Sequence, residues 1–389
     1  MKASATAAME SVHVSVAYDR RSSRVLAAVP PNGAPRAGFA GCAIDGEKQT
    51  MTANRVRRVV VTQRFFDSAA VAYLRSCCCE VVLAELAPGH ADGDMSEEAL
   101  LRGLDGACGW ILGHARVTRS LLMKLPLLRV VARRGVGYER VEVEAVRELG
   151  RVATIAAGGN DATVADATIG LMLALGRRFK ECQQGMSEGS WAIPVGTDLC
   201  GKTVGIIGFG RIARGVAKRL SGFETRILVH TPRPDARLGQ ALGVEYADLS
   251  TVLEQSDYLT LHAPLTSDTR FLIRQETLRK MKPTAYLINT ARGGLVEDRD
   301  LLEALRENWI AGAGLDVYMS EIDPAYQQVT RQLIALPSVV TLPHAGASTH
   351  ESLARTNMIA AKCVAAVLDG AQVPPGCIIA DGRAPRPSR

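Results

Sequence analysis

The chain has 389 residues, 47% of them hydrophobic and 22% charged, with a formal net charge of +6. That length and balance point to two ordinary globular domains. An aromatic content of 5% and a mild positive charge, much of it in Arg-containing ends such as Arg383, Arg386 and Arg389, argue against a nucleic-acid surface, which needs a dense basic cluster on one element.

Residues 1–55 are rich in Ala, Gly, Pro and Ser without periodicity and read as a flexible N-terminal extension. Glu10, Asp19, Asp45 and Glu47 interrupt what would otherwise resemble an organelle transit peptide. The first apolar strand runs from Arg57 to Thr62, helical spacing follows from Phe65 to Leu74, and Val81 to Glu85 is strand-like. Cys77, Cys78 and Cys79 read as small apolar residues. The nine cysteines show neither Cys-x-x-Cys nor zinc-type spacing, so no disulfide framework and no metal site is expected. Free thiols suit a reducing compartment, and the cytoplasm is the expected location. Ser96 caps a helix whose first turn holds Glu97 and Glu98, which favours the helix dipole. Trp110–Leu112 and Leu128–Ala132 are further strands, and the alternation predicts a parallel sheet.

An apolar helix is expected from Ala162 to Phe179. Its hydrophobic positions run all round, through Ile169, Leu171, Met172, Leu173 and Leu175, so it should be buried between domains or subunits. It is too short in unbroken apolar residues to span a membrane. After a polar connector, Gly185–Gly201, a second alternation begins. Strands are expected over Thr203–Ile207, Arg226–His230, Tyr258–His262, Ala285–Asn289, Ala311–Val317 and Val339–Leu342, with helices such as Ile212–Leu220, Leu249–Gln255 and Asp298–Asn308 between them. That is the pattern of a doubly wound sheet. Residues 345–370 read as a helix returning to the first domain. The tail from Val373 is Pro-rich and expected to be loose.

Between the first strand of the second series and its helix stands Gly208-Phe209-Gly210-Arg211-Ile212-Ala213. This is a Gly-x-Gly-x-x-Ala turn in the strand–turn–helix context of a dinucleotide site. Gly208 permits the tight turn, Gly210 lets the backbone approach a pyrophosphate, and Ala213 allows close helix–strand packing. About 20 residues on, an acidic side chain would grip the ribose of NAD. Here the second strand ends His230-Thr231-Pro232-Arg233, and neutral Thr231 with cationic Arg233 favours NADP over NAD.

Three further polar groups fall just after strands: Asn289-Thr290-Ala291-Arg292, Asp316-Val317-Tyr318 with Glu321, and Pro343-His344-Ala345-Gly346. With Arg134-Gly135-Val136-Gly137-Tyr138 and His262-Ala263-Pro264-Leu265-Thr266, in this order, the chain from 57 to 370 resembles the D-isomer-specific 2-hydroxyacid dehydrogenases, a family that includes phosphoglycerate dehydrogenases and glyoxylate/hydroxypyruvate reductases. The resemblance implies an α/β protein of two doubly wound parallel sheets, with a Rossmann cofactor domain (158–344) inserted into a flavodoxin-like substrate domain (56–157, completed by 345–372). It implies hydride transfer between NAD(P) and a small 2-keto or 2-hydroxy acid. Arg292 would bind the substrate carboxylate, His344 would be the general acid/base, and Glu321 would hold His344 and favour its charged form. Amides near Val136 and Gly137 would receive the carboxylate. Arg211 and Ile212 would lie along the pyrophosphate, and Pro264, Thr290, Ala291, Asp316 and Gly346 would line the rest of the cofactor site. His262 would be structural. A homodimer is the family's usual assembly, and no nucleic-acid or membrane partner is implied.

The chain departs from the family at Ile322, where Pro is usual, and at Glu142 and Asp166, where Asp and Glu respectively are more usual. The Arg-Ser pair that holds the phosphate in phosphoglycerate dehydrogenases is absent at Leu112-Gly113, which makes a glyoxylate- or hydroxypyruvate-like acid at least as good a substrate; His114, Arg116 or Arg133 could substitute for it. Two other readings fit the same residues: a non-catalytic NAD(H)-binding regulator of the corepressor kind, and a dehydrogenase of the same fold acting on formate or phosphite.

Overall fold

The computed structural model describes residues 57–87 and 89–383. The expected extension over 1–55 lies outside them. Among the described residues, thirteen strands form two sheets. The first sheet holds β1 (Arg57–Val61), β2 (Cys79–Leu83), β3 (Gly109–Leu112), β4 (Val130–Arg133) and β5 (Val152–Ile155). The second holds β6 (Thr203–Ile207), β7 (Arg226–His230), β8 (Val244–Tyr246), β9 (Tyr258–Leu261), β10 (Tyr286–Asn289), β11 (Gly312–Leu315) and β12 (Val339–Thr341). The last strand, β13 (Ile378–Asp381), returns to the first sheet, whose order is β13-β5-β4-β3-β1-β2. The second sheet has the order β12-β11-β10-β9-β6-β7-β8.

Both sheets are parallel apart from β13, which pairs antiparallel with β5. Parallel strands are covered on both faces, and β3, β9 and β11 are accordingly buried along their whole length. The strand order reverses between β1 and β3 in one sheet and between β6 and β9 in the other. Open α/β sheets bind ligands outside the carboxyl ends of the strands at such points. The helix His350–Asp369 packs on β3 and β4, as a return to the first domain requires, while the helix Asp161–Gly176 packs on β10, β11 and β12.

Three expectations need correction. The tail is not loose over β13: the Ile155 amide donates to the Cys377 carbonyl, and Cys377 and Ala380 are buried. The edge of β5 has unpaired backbone groups that a strand satisfies, and the flanking prolines Pro374 and Pro375 disguise it. The apolar helix stops at Gly176 rather than Phe179, because Arg178 sits at φ +53° in the left-handed region and starts a second helix, Phe179–Ser187. That helix takes up the start of the expected connector. Strands β5 and β8 have no counterpart among the expected strands.

Candidate functional site

The glycine turn sits at the carboxyl end of β6, at the reversal of the second sheet. Gly208 has φ +86°, and a Cβ there would come within 2.7 Å of the Ala263 backbone, so no other residue fits without moving the continuation of β9. Gly210 caps the helix Arg211–Leu220, which has no side-chain cap and no acidic residue in its first turn. A Cβ on Gly210 would meet nothing within 4 Å. The helix therefore opens onto free space with its amides uncommitted, the arrangement a pyrophosphate needs. Ala213 is fully buried, as close helix–sheet packing requires.

Around this turn, Ile212 is half-buried, and Arg211 is exposed and paired with Asp161 through Nε at 2.6 Å. Asp166 pairs with Arg219. Thr231 is half-buried at the tip of β7, and its Oγ1 accepts from the Arg233 amide at 3.5 Å. Arg233 is exposed, and the nearby Asp235 carboxylate is engaged by the Arg237 and Leu238 amides that it caps. Pro264 is exposed beyond β9, and Thr290 is buried with its hydroxyl 3.0 Å from that of Thr168. The Ala291 amide donates to Asn289 Oδ1. His262 bonds Thr260 Oγ1 through Nε2 at 3.0 Å, and burial pushes its ring down to about 3, a neutral structural group.

Three strand ends supply the reactive-looking groups. Arg292 follows β10. Its Nε donates to Glu139 Oε1 at 2.7 Å and its Nη1 to the Ala291 carbonyl, while Nη2 lies against Gly137, where an added Cβ would fall 1.6 Å away. Burial works against charge on Glu139, but Arg292 holds it below the usual carboxylate range. Glu321 lies in the short turn Met319–Glu321 after β11. Its Oε1 accepts from the Tyr318 amide at 2.8 Å and its Oε2 lies 2.6 Å from His344 Nδ1. Burial opposes its charge too, yet His344 and the Tyr318 amide leave it lower than an ordinary glutamate. His344 follows β12 at φ +54°, a conformation costly for a non-glycine residue and held from three sides. The Asp316 carbonyl accepts from the His344 amide at 2.8 Å, and the Asp316 carboxylate takes the amides of Ala345 and Gly346 at 2.7 and 2.9 Å. Asp316 thus builds the turn that presents the imidazole.

Arg292 and His344 line the same cavity as Val136, Gly137 and Asn160, and a second cavity of about 380 Å³ that Glu321 also lines. The sequence gives no role to Glu139, which pairs with Arg292, or to Asp92. Buried Asp92 accepts from Thr62 Oγ1 and from the amides of Gly113 and His114, and so fixes the loop at the reversal of the first sheet. That loop carries His114, whose ring stands edge-on to His344 at 5.7 Å. Burial first, then the charges of Arg133 and His344, push His114 down to about 4, so it stays uncharged beside His344. An imidazole with Nδ1 on a carboxylate, next to a guanidinium with one free NH₂ edge, can exchange a proton with a carbonyl oxygen whose carboxylate the guanidinium holds.

The sequence model of the D-isomer specific 2-hydroxyacid dehydrogenase NAD binding domain matches residues 169–346. The chain is 36% identical over 330 residues to a glyoxylate reductase of Thermofilum pendens, covering 83% of this chain and 94% of that one. It is 37% identical over 245 residues to a hydroxypyruvate reductase of Thermotoga maritima, covering 62% of this chain and 78% of that one. The crystal structure of the TT0316 protein from Thermus thermophilus superposes with a TM-score of 0.73 at 34% identity, covering 83% of this chain and 99% of the other. The chain belongs to the D-isomer specific 2-hydroxyacid dehydrogenase family. It is an NAD(P)-dependent oxidoreductase acting on the CH–OH group of 2-hydroxy acids or on the corresponding keto group.

Proposed function

We propose that the chain reduces a 2-keto acid with NADPH through Arg292, His344 and Glu321, in a site between a substrate domain (56–157 with 345–372) and a cofactor domain (158–344). The observation that carries the reading is the placement of Arg292 and His344 on one cavity, with Glu321 behind the imidazole at 2.6 Å. When bound, the nicotinamide supplies the hydride. Arg292 Nη2 and the amides near Val136 and Gly137 hold the substrate carboxylate, which turns the keto oxygen toward His344. With Nδ1 engaged by Glu321, His344 gives its proton from Nε2 to the oxygen as charge develops there. Glu321 keeps the ring in register and balances its charge. Thr290, Ala291, Pro264 and Gly346 frame the nicotinamide end, and Asp316 acts through the turn it holds. Arg233 and the absence of a carboxylate at the tip of β7 support NADPH over NADH.

The test is a keto-acid panel with glyoxylate, hydroxypyruvate and pyruvate. Arg292→Ala and His344→Ala should each lower kcat by about a hundredfold or more, with cofactor affinity retained. Wild-type rates in either variant sink the assignment.

We also read the active species as a homodimer. The segment after the helix Asp161–Gly176 exposes Trp191 at 81%, Ile193 at 90% and Val195 at 85%, and Phe179 and Met186 on the helix Phe179–Ser187 are exposed too. Clustered apolar exposure of this kind marks an interface. No helix among the described residues is long and apolar enough to cross a membrane. The eight described cysteines are free, which suits the cytoplasm.

A further inference from the structure

We propose that Glu139 and Arg140 are positioning residues, a latch across the cleft by which the half of the chain built on the first sheet holds Arg292 and the Glu321 turn in working order. The inference rests on the keto-acid reductase reading above and adds what aligns that site.

The two residues are neighbours in the loop between β4 and the helix Val143–Glu148. That loop is braced. The Val141 amide donates to the Tyr138 carbonyl, the Val117 amide to the Arg140 carbonyl and the Glu142 amide to the Val117 carbonyl, each at 2.9 Å. Val117 and Val141 form a parallel bridge, and both are buried. From this platform two consecutive side chains reach the half built on the second sheet. Glu139 Oε1 accepts from Arg292 Nε at 2.7 Å. Arg140 Nη2 donates to the Glu321 carbonyl at 3.1 Å, while its Nη1 donates to the His114 carbonyl at 3.0 Å. Gly93 leaves room for that guanidinium: an added Cβ would stand 3.0 Å from Nη1. Among the described residues, the side-chain hydrogen bonds between residues 57–155 and 161–344 are those of these two neighbours. Each ends on a group that the proposed reaction uses.

A long arginine side chain has many rotamers, and ordering it costs entropy. Glu139 supplies that order: with Nε held, the Nη2 edge of Arg292 faces Gly137. The substrate carboxylate must meet that edge, and a displacement of about 1 Å can cost about a hundredfold in rate. The side chains of Arg292 and Glu139 are 24% and 41% exposed, so the pair is only partly screened by water. Arg140 acts on the backbone instead. The turn Met319–Glu321 is three residues long. Arg140 fixes its last carbonyl from the other side of the cleft, while the Glu321 carboxylate holds His344 Nδ1 at 2.6 Å. Glu139 also carries charge. A carboxylate beside Arg292 opposes a second carboxylate arriving there. It therefore aligns the arginine and weakens substrate affinity together, a combination that a substrate-binding residue does not show.

The experiment measures kcat, KM, the Kd for NADPH and the melting temperature of the full chain. The acid used is the one that the parent turns over fastest among glyoxylate, hydroxypyruvate and pyruvate. Glu139→Ala is expected to lower kcat about tenfold or more, with KM level or lower because a competing charge is gone. Glu139→Gln keeps an acceptor at the same reach and should restore most of the rate. Arg140→Ala should also lower kcat about tenfold. Arg140→Lys, whose ammonium can still donate to the Glu321 carbonyl, should recover part of the loss. Cofactor Kd and melting temperature should stay at parent values in all four variants. Parent-like kcat in either alanine variant overturns the inference and leaves the reductase reading standing. So does a rate loss that neither conservative variant relieves and that follows a lower melting temperature, since that marks a pair serving only the fold. Absence of turnover by the parent chain with every acid overturns both.

Discussion

At the scale of single residues, the site depends on pairings that leave one working edge free. Glu139 and the Ala291 carbonyl take two of the Arg292 donors and aim the third past Gly137. Glu321 takes Nδ1 of His344 and leaves Nε2. Asp316 spends its whole carboxylate on two backbone amides, which explains how His344 tolerates a left-handed backbone. The proposed preference for NADPH is also a single-residue matter. Arg233 is an exposed guanidinium near the tip of β7, where an NAD-specific chain would carry an acid. Arg233→Ala should raise the Kd for NADPH about tenfold or more and leave that for NADH nearly unchanged, since only the former has a 2′-phosphate to lose. Titration of both cofactors by nucleotide fluorescence decides it, and equal losses would count against the NADPH reading. The glycine turn, Arg292, Glu321 and His344 are legible in the sequence because each sits in a local pattern. Glu139 is not: it lies 153 residues from the arginine it orients, with no pattern linking them.

At the scale of elements, the turn Met319–Glu321 is the most sensitive support. Asp298, at the start of the helix Asp298–Arg306, accepts the Met319 amide through Oδ2 at 3.0 Å and so anchors the segment that carries Glu321. Burial pushes Asp298 up to about 7, with Glu297 and Glu321 adding to the effect against the pull of the Met319 amide. A carboxyl whose folded pKa lies above its unfolded value binds a proton more tightly in the fold. Its contribution to stability is therefore greatest below the unfolded value of 3.8 and declines as pH rises toward and through about 7. Asp298→Asn keeps a carbonyl for the Met319 amide and cannot ionise. Its unfolding free energy should exceed that of the parent at pH 8 by on the order of 2 kcal/mol, with little or no gain at pH 4. Parallel denaturation curves across that range would show that Asp298 does not titrate as described. Elements also mark the limit of sequence reading. β6, β7, β9 and β10 are runs of apolar residues and are expected where they occur. β8 is three residues at a sheet edge, and β13 lies in a Pro-rich tail; neither has enough length for a periodic signal.

At the scale of the whole molecule, the two sheets present their strand-order reversals to one shared set of cavities. His114 comes from the end of β3, Arg133 from the end of β4, and Arg292, Glu321 and His344 from the second sheet. Arg140 ties the two halves, donating to a carbonyl in each. The apolar segment around Trp191, Ile193 and Val195 faces away from any core of its own. Sedimentation of the full chain should give twice the 41.6 kDa chain mass, and Trp191→Ser with Ile193→Ser should shift the species toward one copy. A parent chain that sediments as a single copy at micromolar concentration would dismiss the dimer.

The sequence by itself determined the two alternating α/β series, the glycine turn and the three polar groups at strand ends proposed as the site, because hydrophobic period and turn chemistry are properties of neighbours along the chain. Only the tertiary structure decided which groups hold them. The Glu139–Arg292 pair, the Asp92 hub and the edge-on contact of His114 with His344 all join distant segments. Their energies depend on distance and desolvation across the cleft, quantities that linear order does not contain.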